Sequence, residues 1–419
     1  MSTTRRVTFK LYPTTTQEKM LFEWKNLHCW LFNKALSDRR SSWQKNKQSV
    51  NYYDQQKAVK VIRAVYPEFK PLGSHAIQDT LKRVDYAYQR FFKGLAKYPR
   101  FKSYRHYSGW TYPCGSGWKA LTNGTHGKLK VSNLGEVRMR GQARQWGNPK
   151  TCTIFYRKGN WYASITVECE VIRNTGNGLV GLDLGCETAV TCAVHLREGN
   201  YQEIKIENPR HLKKAEQKIK QVSKQKRRKR SPNYKQKIKA SRRWKKAQKQ
   251  VSKLLTKVSN QRKDFLHQVS AEIVSSNSLV VTEKLNVKNM TRTSKNKGKR
   301  GLNKSILDVS FGFLKDCLKY KTNEAGGSYI EIPTQKIKPS QRCPKCDHLK
   351  KKLLSERVHY CENCDYQCGR DFASAQVIAE HIRKGLGTSL SKCGEDASTS
   401  TYCGGSRASG LDEASETPT

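Results

Sequence analysis

The chain predicts a multidomain α/β fold, and three observations carry that reading. Short alternating apolar pieces with Gly turns crowd the stretch from Tyr98 to Glu170, a second strand-rich region starts at Leu179, and long helical patterns stand before and between them. At 419 residues there is room for two or three domains and a sizeable core.

The first element, Arg5 to Tyr12, alternates as a short strand and stops at Pro13. Thr14 to Glu18 then reads as a helix cap, and Leu21, Trp24, Leu27, Leu31 and Leu36 recur at helical spacing. A second helical pattern covers about Ala76 to Leu95 through Ile77, Leu81, Val84, Tyr88 and Phe91. Thr151 to Arg157 and Asn160 to Glu168 alternate as strands. The expectation is a small β-domain over residues 1–170 that holds a helical insertion at about 14–97.

A turn at Asn174 to Asn177 opens a second domain, expected over residues 171–385. Leu179 to Gly185 reads as a buried strand with Asp183 in its middle, and Ala189 to Leu196 and Tyr201 to Ile206 complete a meander. Farther on come a strand at Ser278 to Thr282 ending at Glu283, a basic loop to Asn303, a helix near Leu307 to Thr322 and a strand at Tyr329 to Ile332. Strand, strand, strand, helix, strand is the order of an RNase H-type sheet, in which the first and fourth strands are neighbours. Residues 386–419 are rich in Ser, Thr and Gly and are expected to be a disordered tail.

Charge narrows the partners. The chain has 81 Lys and Arg against 34 Asp and Glu, a net charge of +47, and would repel itself without a polyanion to neutralise it. Nucleic acid is the expected partner. An anionic membrane competes, but the basic segments lack a wide apolar face and no stretch approaches about 20 apolar residues, so no membrane partner is expected. From Lys213 to Lys263 there are 22 Lys or Arg and one acid, Glu216, and Pro232 splits the run into two helical arms of a hairpin at 210–275. The second arm keeps a narrow apolar line through Trp244, Ala247, Val251, Leu254 and Val258. Arg227, Arg228, Arg230, Arg242 and Arg243 are its candidate phosphate contacts, against the plain alternative of a solvated hairpin. Lys226 to Arg230 also has the composition of a nuclear import signal, which nothing else in the chain supports.

Two CxxC pairs, Cys343 with Cys346 and Cys361 with Cys364, lie fourteen residues apart in a module at 338–368. Each pair can chelate one edge of a tetrahedral Zn²⁺, and four thiolates leave no open position for water, so the zinc is structural. Cys368 is an alternative to Cys364 at poorer spacing. Disulfides are the competing use, but Met1 to Pro13 has no apolar segment of signal-peptide length, which makes a reducing cytoplasm the expected compartment, with association to the nucleoid through DNA.

Three acids complete the candidate chemistry. In the expected sheet Asp183 faces Glu283, while Asp371 opens a helix through Ala375, Ile378, Ala379 and Ile382. Carboxylates gathered in this way repel unless divalent cations neutralise them. The set suits two Mg²⁺ about 4 Å apart, acting on a phosphodiester. Each acid alone has an ordinary reading: Asp is common in the first turn of a helix, and a carboxylate ending a strand is often only a loop residue.

Several motifs resemble those of the transposon-encoded TnpB (OrfB) family of RNA-guided nucleases, relatives of the type V CRISPR effectors. They are GLDLG at Gly181 to Gly185, VVTEKLNV at Val280 to Val287, KPSQRCPKC at Lys338 to Cys346, and YCENC with GRDFASA between Tyr360 and Ala375. FKLYPTTTQ from Phe9, RFFKGLAKYPRFKS from Arg90 and QRKDFLHQVS from Gln261 also resemble the family, so the likeness covers about residues 5 to 385 in family order. The resemblance implies an N-terminal wedge-type β-barrel with a helical recognition insertion, then a RuvC-like nuclease domain carrying the zinc ribbon. It implies a guide RNA from the transposon end, a double-stranded DNA target next to a short motif, and Mg²⁺-dependent cutting at Asp183, Glu283 and Asp371. Two positions depart from the pattern: Ala373 stands where the family commonly has Asn, and Lys284 where an acid or amide is usual. A guided DNA-binding repressor that does not cut, or an RNase H-fold transposase, are the alternatives. For reading the adjacent motif, Ser74, Gln78 and Lys82 share one helix face, although the same spacing suits an ordinary polar face.

Overall fold

The computed structural model describes residues 2–392 except 171–172, 197–198, 234, 294–296 and 354. Its contacts divide the chain into two units that meet between residues 172 and 173.

In the first unit β1 (Ser2–Tyr12) is a central strand despite coming first. Its inward side chains Phe9 and Leu11 are buried. Thr14 accepts a hydrogen bond from the Gln17 N–H while the Gln17 side chain accepts from the Thr14 N–H, a reciprocal cap that starts α1 (Thr15–Asn46). Then come α2 (Tyr52–Val65), a short turn of helix at Pro67–Phe69, and α3 (Ser74–Phe92). The strands β2 (Gly109–Tyr112), β3 (Trp118–Leu121), β4 (Gly127–Val131), β5 (Gly135–Arg140), β6 (Asn148–Arg157) and β7 (Asn160–Glu170) join β1 in one antiparallel sheet of order β2-β6-β7-β1-β5-β4-β3. Among the described residues no ladder joins β2 to β3. Trp110 and Trp161 are fully buried, and the His28 ring stacks on Trp110 with centroids 5.2 Å apart. Trp24 and Tyr88 also belong to this core, whereas Tyr12 is exposed beside Lys10 and Arg140.

The second unit is built on β8 (Gly178–Asp183), β9 (Thr188–His195) and β10 (Tyr201–Glu207), followed by α4 (His211–Arg227), α5 (Arg242–Ser276) and β11 (Asn277–Glu283). Next are α6 (Val287–Met290), α7 (Lys297–Val309), α8 (Phe311–Glu324), β12 (Ser328–Ile332), α9 (Thr334–Ile337), the small hairpin β13 (Val358–Tyr360) and β14 (Gln367–Gly369), and α10 (Arg370–Lys392). The sheet order is β10-β9-β8-β11-β12, antiparallel from β10 to β8 and parallel from β8 to β12. Helices cover both faces, as parallel strands require. Val180, Leu182 and Val280 pack with Leu266, Val269 and Leu314 of α5 and α8, while Val281 and Ile332 pack with Val377 and Ile378 of α10. No helix among the described residues is long and apolar enough to cross a membrane.

Three sequence expectations need correction. Asp183 ends β8, with Thr191 opposite it as the last rung, because residues 184–187 form the turn into β9. The basic segment before Asn303 is helical from Lys297, and the helix expected near Leu307 to Thr322 breaks at Ser310, whose φ is 61°. Helix α10 runs to Lys392, past the start of the expected tail, and residues 393–419 lie outside the described residues.

Candidate active site

The parallel register of β8 and β11 pairs Val180 with Val280, Val281 with Gly181 and Thr282 with Leu182. Asp183 and Glu283 are the next residues on the two strands, so both carboxylates leave the sheet at the same carboxyl-terminal edge. That edge is where open α/β sheets place ligands. Asp371 arrives from a third direction, in the first turn of α10. Gly181 makes its approach possible: a Cβ there would lie 2.1 Å from the Ala375 carbonyl oxygen and 2.8 Å from the Ala379 nitrogen. Only a residue without a side chain lets the α10 backbone lie this close to β8.

Asp183 feels the other two acids. Burial pushes the Asp183 carboxyl up to about 8, and the charges of Glu283 and Asp371 push in the same direction, against a weaker pull from the Leu184 N–H and Arg370. Burial also raises Glu283. Opposed carboxylates of this kind are what a divalent cation neutralises, while among the described residues the cysteines alone have ligand atoms close enough together to hold an ion. Ala373 is buried in α10 and Lys284 is exposed.

The four cysteines converge through two turns of the same design. Cys343 N–H donates to the His348 carbonyl at 2.8 Å and Cys361 N–H to that of Tyr366 at 3.0 Å. In each turn the residue four after the first Cys, Asp347 or Asp365, has a positive φ and donates its N–H back to that Cys carbonyl. The ligand atoms of Cys343, Cys346, Cys361 and Cys364 all lie within 4.8 Å of one another, with Sγ separations of 3.6 Å for Cys343 and Cys364 and 3.4 Å for Cys346 and Cys361. Tetrahedral zinc with Zn–S bonds of about 2.3 Å needs sulfurs about 3.8 Å apart, and a disulfide needs about 2 Å. The set therefore fits zinc. The Asn363 side chain and the His348 N–H pull the Cys346 thiol down to about 6, toward the thiolate a metal requires. Cys368 lies in β14, outside the cluster.

Arg370 was missed as a functional candidate. Its guanidinium donates to the carbonyls of Leu353 at 2.8 Å and Glu356 at 3.2 Å, tying the cysteine module to the start of α10, and its charge opposes protonation of Asp183. A signal existed: a cation in the first turn of a helix opposes the macrodipole and calls for another reason.

The candidate nucleic-acid residues fall in two places. Arg227, Arg228, Arg230, Arg242 and Arg243 are all exposed around the turn joining α4 to α5, where Ser241 N–H donates to the Arg230 carbonyl at 3.2 Å. The lone acid of the run, Glu216, is held by Lys220 and by Lys304 of α7, which keeps its carboxyl at about 2. On α3, Ser74 and Lys82 are exposed and Gln78 is half-buried, and the Ser74 hydroxyl already accepts from Arg63 at 2.5 Å.

Comparisons with known proteins agree along the chain. An OrfB family model described as a probable transposase matches residues 164–294, a Cas12f1-like TNB domain model matches 311–378, and a helix-turn-helix domain model of the OrfB family matches 1–48. Residues 2–48 form β1 and α1, and the described part of them contains no helix-turn-helix. "Putative RNA-guided DNA endonuclease InsQ" of Escherichia coli K12 is 27% identical over 92% of this chain and 93% of its own length. A protein of Streptomyces pristinaespiralis with the same description is 26% identical, over 93% of this chain and 91% of its own. In fold, the chain resembles the protein in a cryo-EM structure of the Cas12f1-sgRNA-target DNA complex, with a TM-score of 0.55 at 11% identity over 90% of this chain and 98% of that one.

Proposed function

We propose that this chain is a member of the transposon-encoded TnpB (OrfB) family, whose models and relatives it matches, and that it is an RNA-guided DNA endonuclease of a transposable element, cutting DNA by two-metal phosphodiester hydrolysis. In this reading the seven-stranded sheet and its helices are the wedge and recognition parts, and the five-stranded sheet is a RuvC-like nuclease core. The guide is an RNA from the transposon end. Base pairing supplies sequence specificity, and the protein reads duplex shape and a short adjacent motif.

The observation that supports the reading is that Asp183 and Glu283 leave one sheet edge side by side and that the charges of Glu283 and Asp371 both raise Asp183. Two bound Mg²⁺ would supply an activated water and neutralise the departing oxygen. Asp183 gives up its proton to serve as a ligand, and Arg370 favours that loss. Glu283 fixes its carboxylate through the strand register, and Asp371 through the docking of α10 on Gly181. The cysteine module, holding a structural zinc, keeps the first turn of α10 in place through Arg370. The arginines at the α4 to α5 turn neutralise phosphates, and Ser74, Gln78 and Lys82 face the duplex motif.

The test uses purified protein with its copurifying RNA, sequenced to define the guide, and a plasmid carrying the matching target. Linear plasmid that depends on Mg²⁺, guide and match supports the reading. A plasmid left intact under every salt condition, although bound, indicates the repressor; strand-joined products without bound RNA indicate a transposase.

A further inference from the structure

We propose that the segment from Arg90 to Arg105 is a stacking strip that holds the unpaired DNA strand displaced when a guide pairs with its target, a reading that rests on the proposed function. Residues 93–108 contain neither helix nor strand. Loops of that length in a folded domain are uncommon and are usually functional.

This one is fastened in place by its backbone. Lys102 N–H donates to Asn33 Oδ1 at 2.8 Å while its carbonyl accepts from Asn33 Nδ2 at 2.8 Å. Lys25 donates to the Tyr104 carbonyl at 2.6 Å and Arg40 to that of Pro99 at 2.8 Å. All four hydrogen bonds come from Lys25, Asn33 and Arg40 of α1 and end on the main chain of the strip; Lys102 turns its ammonium inward over the Phe32 ring at 4.4 Å and Tyr98 leans on Tyr88, while most of the other side chains of the strip stay exposed.

Those side chains are of two kinds. Phe92, Tyr98, Phe101 and Tyr104 are 77%, 42%, 51% and 50% exposed, far from the burial such rings usually reach. The guanidinium of Arg40 lies 4.9 Å from the Tyr98 ring centroid and 4.7 Å from that of Phe101, holding the two rings in a fixed relation. Between and beside them stand Arg90, Lys93, Lys97, Arg100 and Arg105, all exposed, and no acid occurs from Tyr86 to Tyr107. Rings interleaved with cations match bases and phosphates of a single strand, and a duplex would hide its base faces from them.

The displaced DNA strand is the occupant the chemistry favours. Stacking and phosphate contacts tolerate any base, which a strand of arbitrary target sequence demands. A guide of constant sequence calls instead for hydrogen-bonding readers, and the outward face of the strip is dominated by rings and cations.

The experiment compares the guide-loaded full chain with its Phe92→Leu/Phe101→Leu/Tyr104→Leu variant in EDTA, which keeps apolar bulk but removes the π-faces. A labelled single-stranded DNA unrelated to the guide is expected to bind at least about tenfold more weakly to the variant, equally for dA and dT tracts, with guide affinity within about twofold. On an opened plasmid target, permanganate is expected to leave the displaced thymines protected by the unaltered protein and to oxidise them with the variant. Equal reactivity in both overturns the proposal alone. Equal loss of guide affinity overturns it in favour of an RNA seat. A target that never opens with the unaltered protein overturns the guided reading and this proposal with it. Should the triple variant not fold, Phe92→Leu, at the most exposed ring, carries the same comparison.

Discussion

The second unit holds a cluster of four cysteines and a set of three acids, assembled by opposite means. Cys343, Cys346, Cys361 and Cys364 are brought together by short turns whose backbone hydrogen bonds repeat one another. Asp183, Glu283 and Asp371 come from two strands and a helix far apart in sequence, and the other two reach Asp183 with their charge only when the sheet has its register and α10 lies on β8. The first cluster is specified locally and the second by the whole unit. Accordingly Cys346 is drawn toward the thiolate by the Asn363 side chain and the His348 N–H, whereas burial and the charges of Glu283 and Asp371 hold Asp183 toward its protonated form.

Breaking each cluster separately tests this contrast. Asp183→Ala should lower plasmid cleavage by on the order of 10³-fold or more, in the range seen when a group stabilising transition-state charge is lost, while guide RNA binding persists in a gel-shift assay. Cleavage that survives would mean that the acids are not the centre. Cys343→Ser with Cys346→Ser should abolish bound zinc, measured by metal analysis, expose the amides of 338–368 to exchange, and cost about 10–100-fold in cleavage through displaced Asp371. A zinc-free protein that cuts at full rate would make the two clusters independent.

Gly181→Ala sharpens the comparison, since it strikes the acids and spares the thiols. Crowding against Ala375 should cost about 1–3 kcal/mol in denaturant unfolding and weaken cleavage with zinc content unchanged. An unchanged unfolding midpoint would show that α10 docks differently.

The smallest effect concerns pH. The folded value of about 8 for Asp183 lies above the unfolded value of about 3.9, so in protein without Mg²⁺ its contribution to stability is full below about pH 4 and is lost as pH rises toward 8. Cations bind the ionised form. The rise in Tm on adding Mg²⁺ should therefore grow between pH 6 and 9, and a pH-independent rise would contradict a coupled carboxylate set.

What the sequence disclosed follows the same division. The thiol pairs are legible from spacing because their geometry is local. The strands at Leu179 and Ser278 are legible from apolar runs, yet the end of β8 at Asp183 depends on the turn into β9. Helix α2 went unread because it buries only Gln55 and Val59, leaving little apolar periodicity; its reciprocal cap of Asn51 and Asp54 was the available sign. The basic stretch before Asn303 reads as loop by composition, but Lys304 meets Glu216 of α4 in the folded chain. Arg370 left one sign in the sequence, a cation opening a helix, but its partners are the loop carbonyls of Leu353 and Glu356, which the folded chain alone reveals.

The position of Asp371 has a consequence for synthesis. A nascent chain emerging at about 5–20 residues per second displays its basic hairpin long before its third carboxylate has left the ribosome. On the proposed function, during that interval, and in any product truncated before α10, the polypeptide would grip polynucleotides without a complete means of severing them.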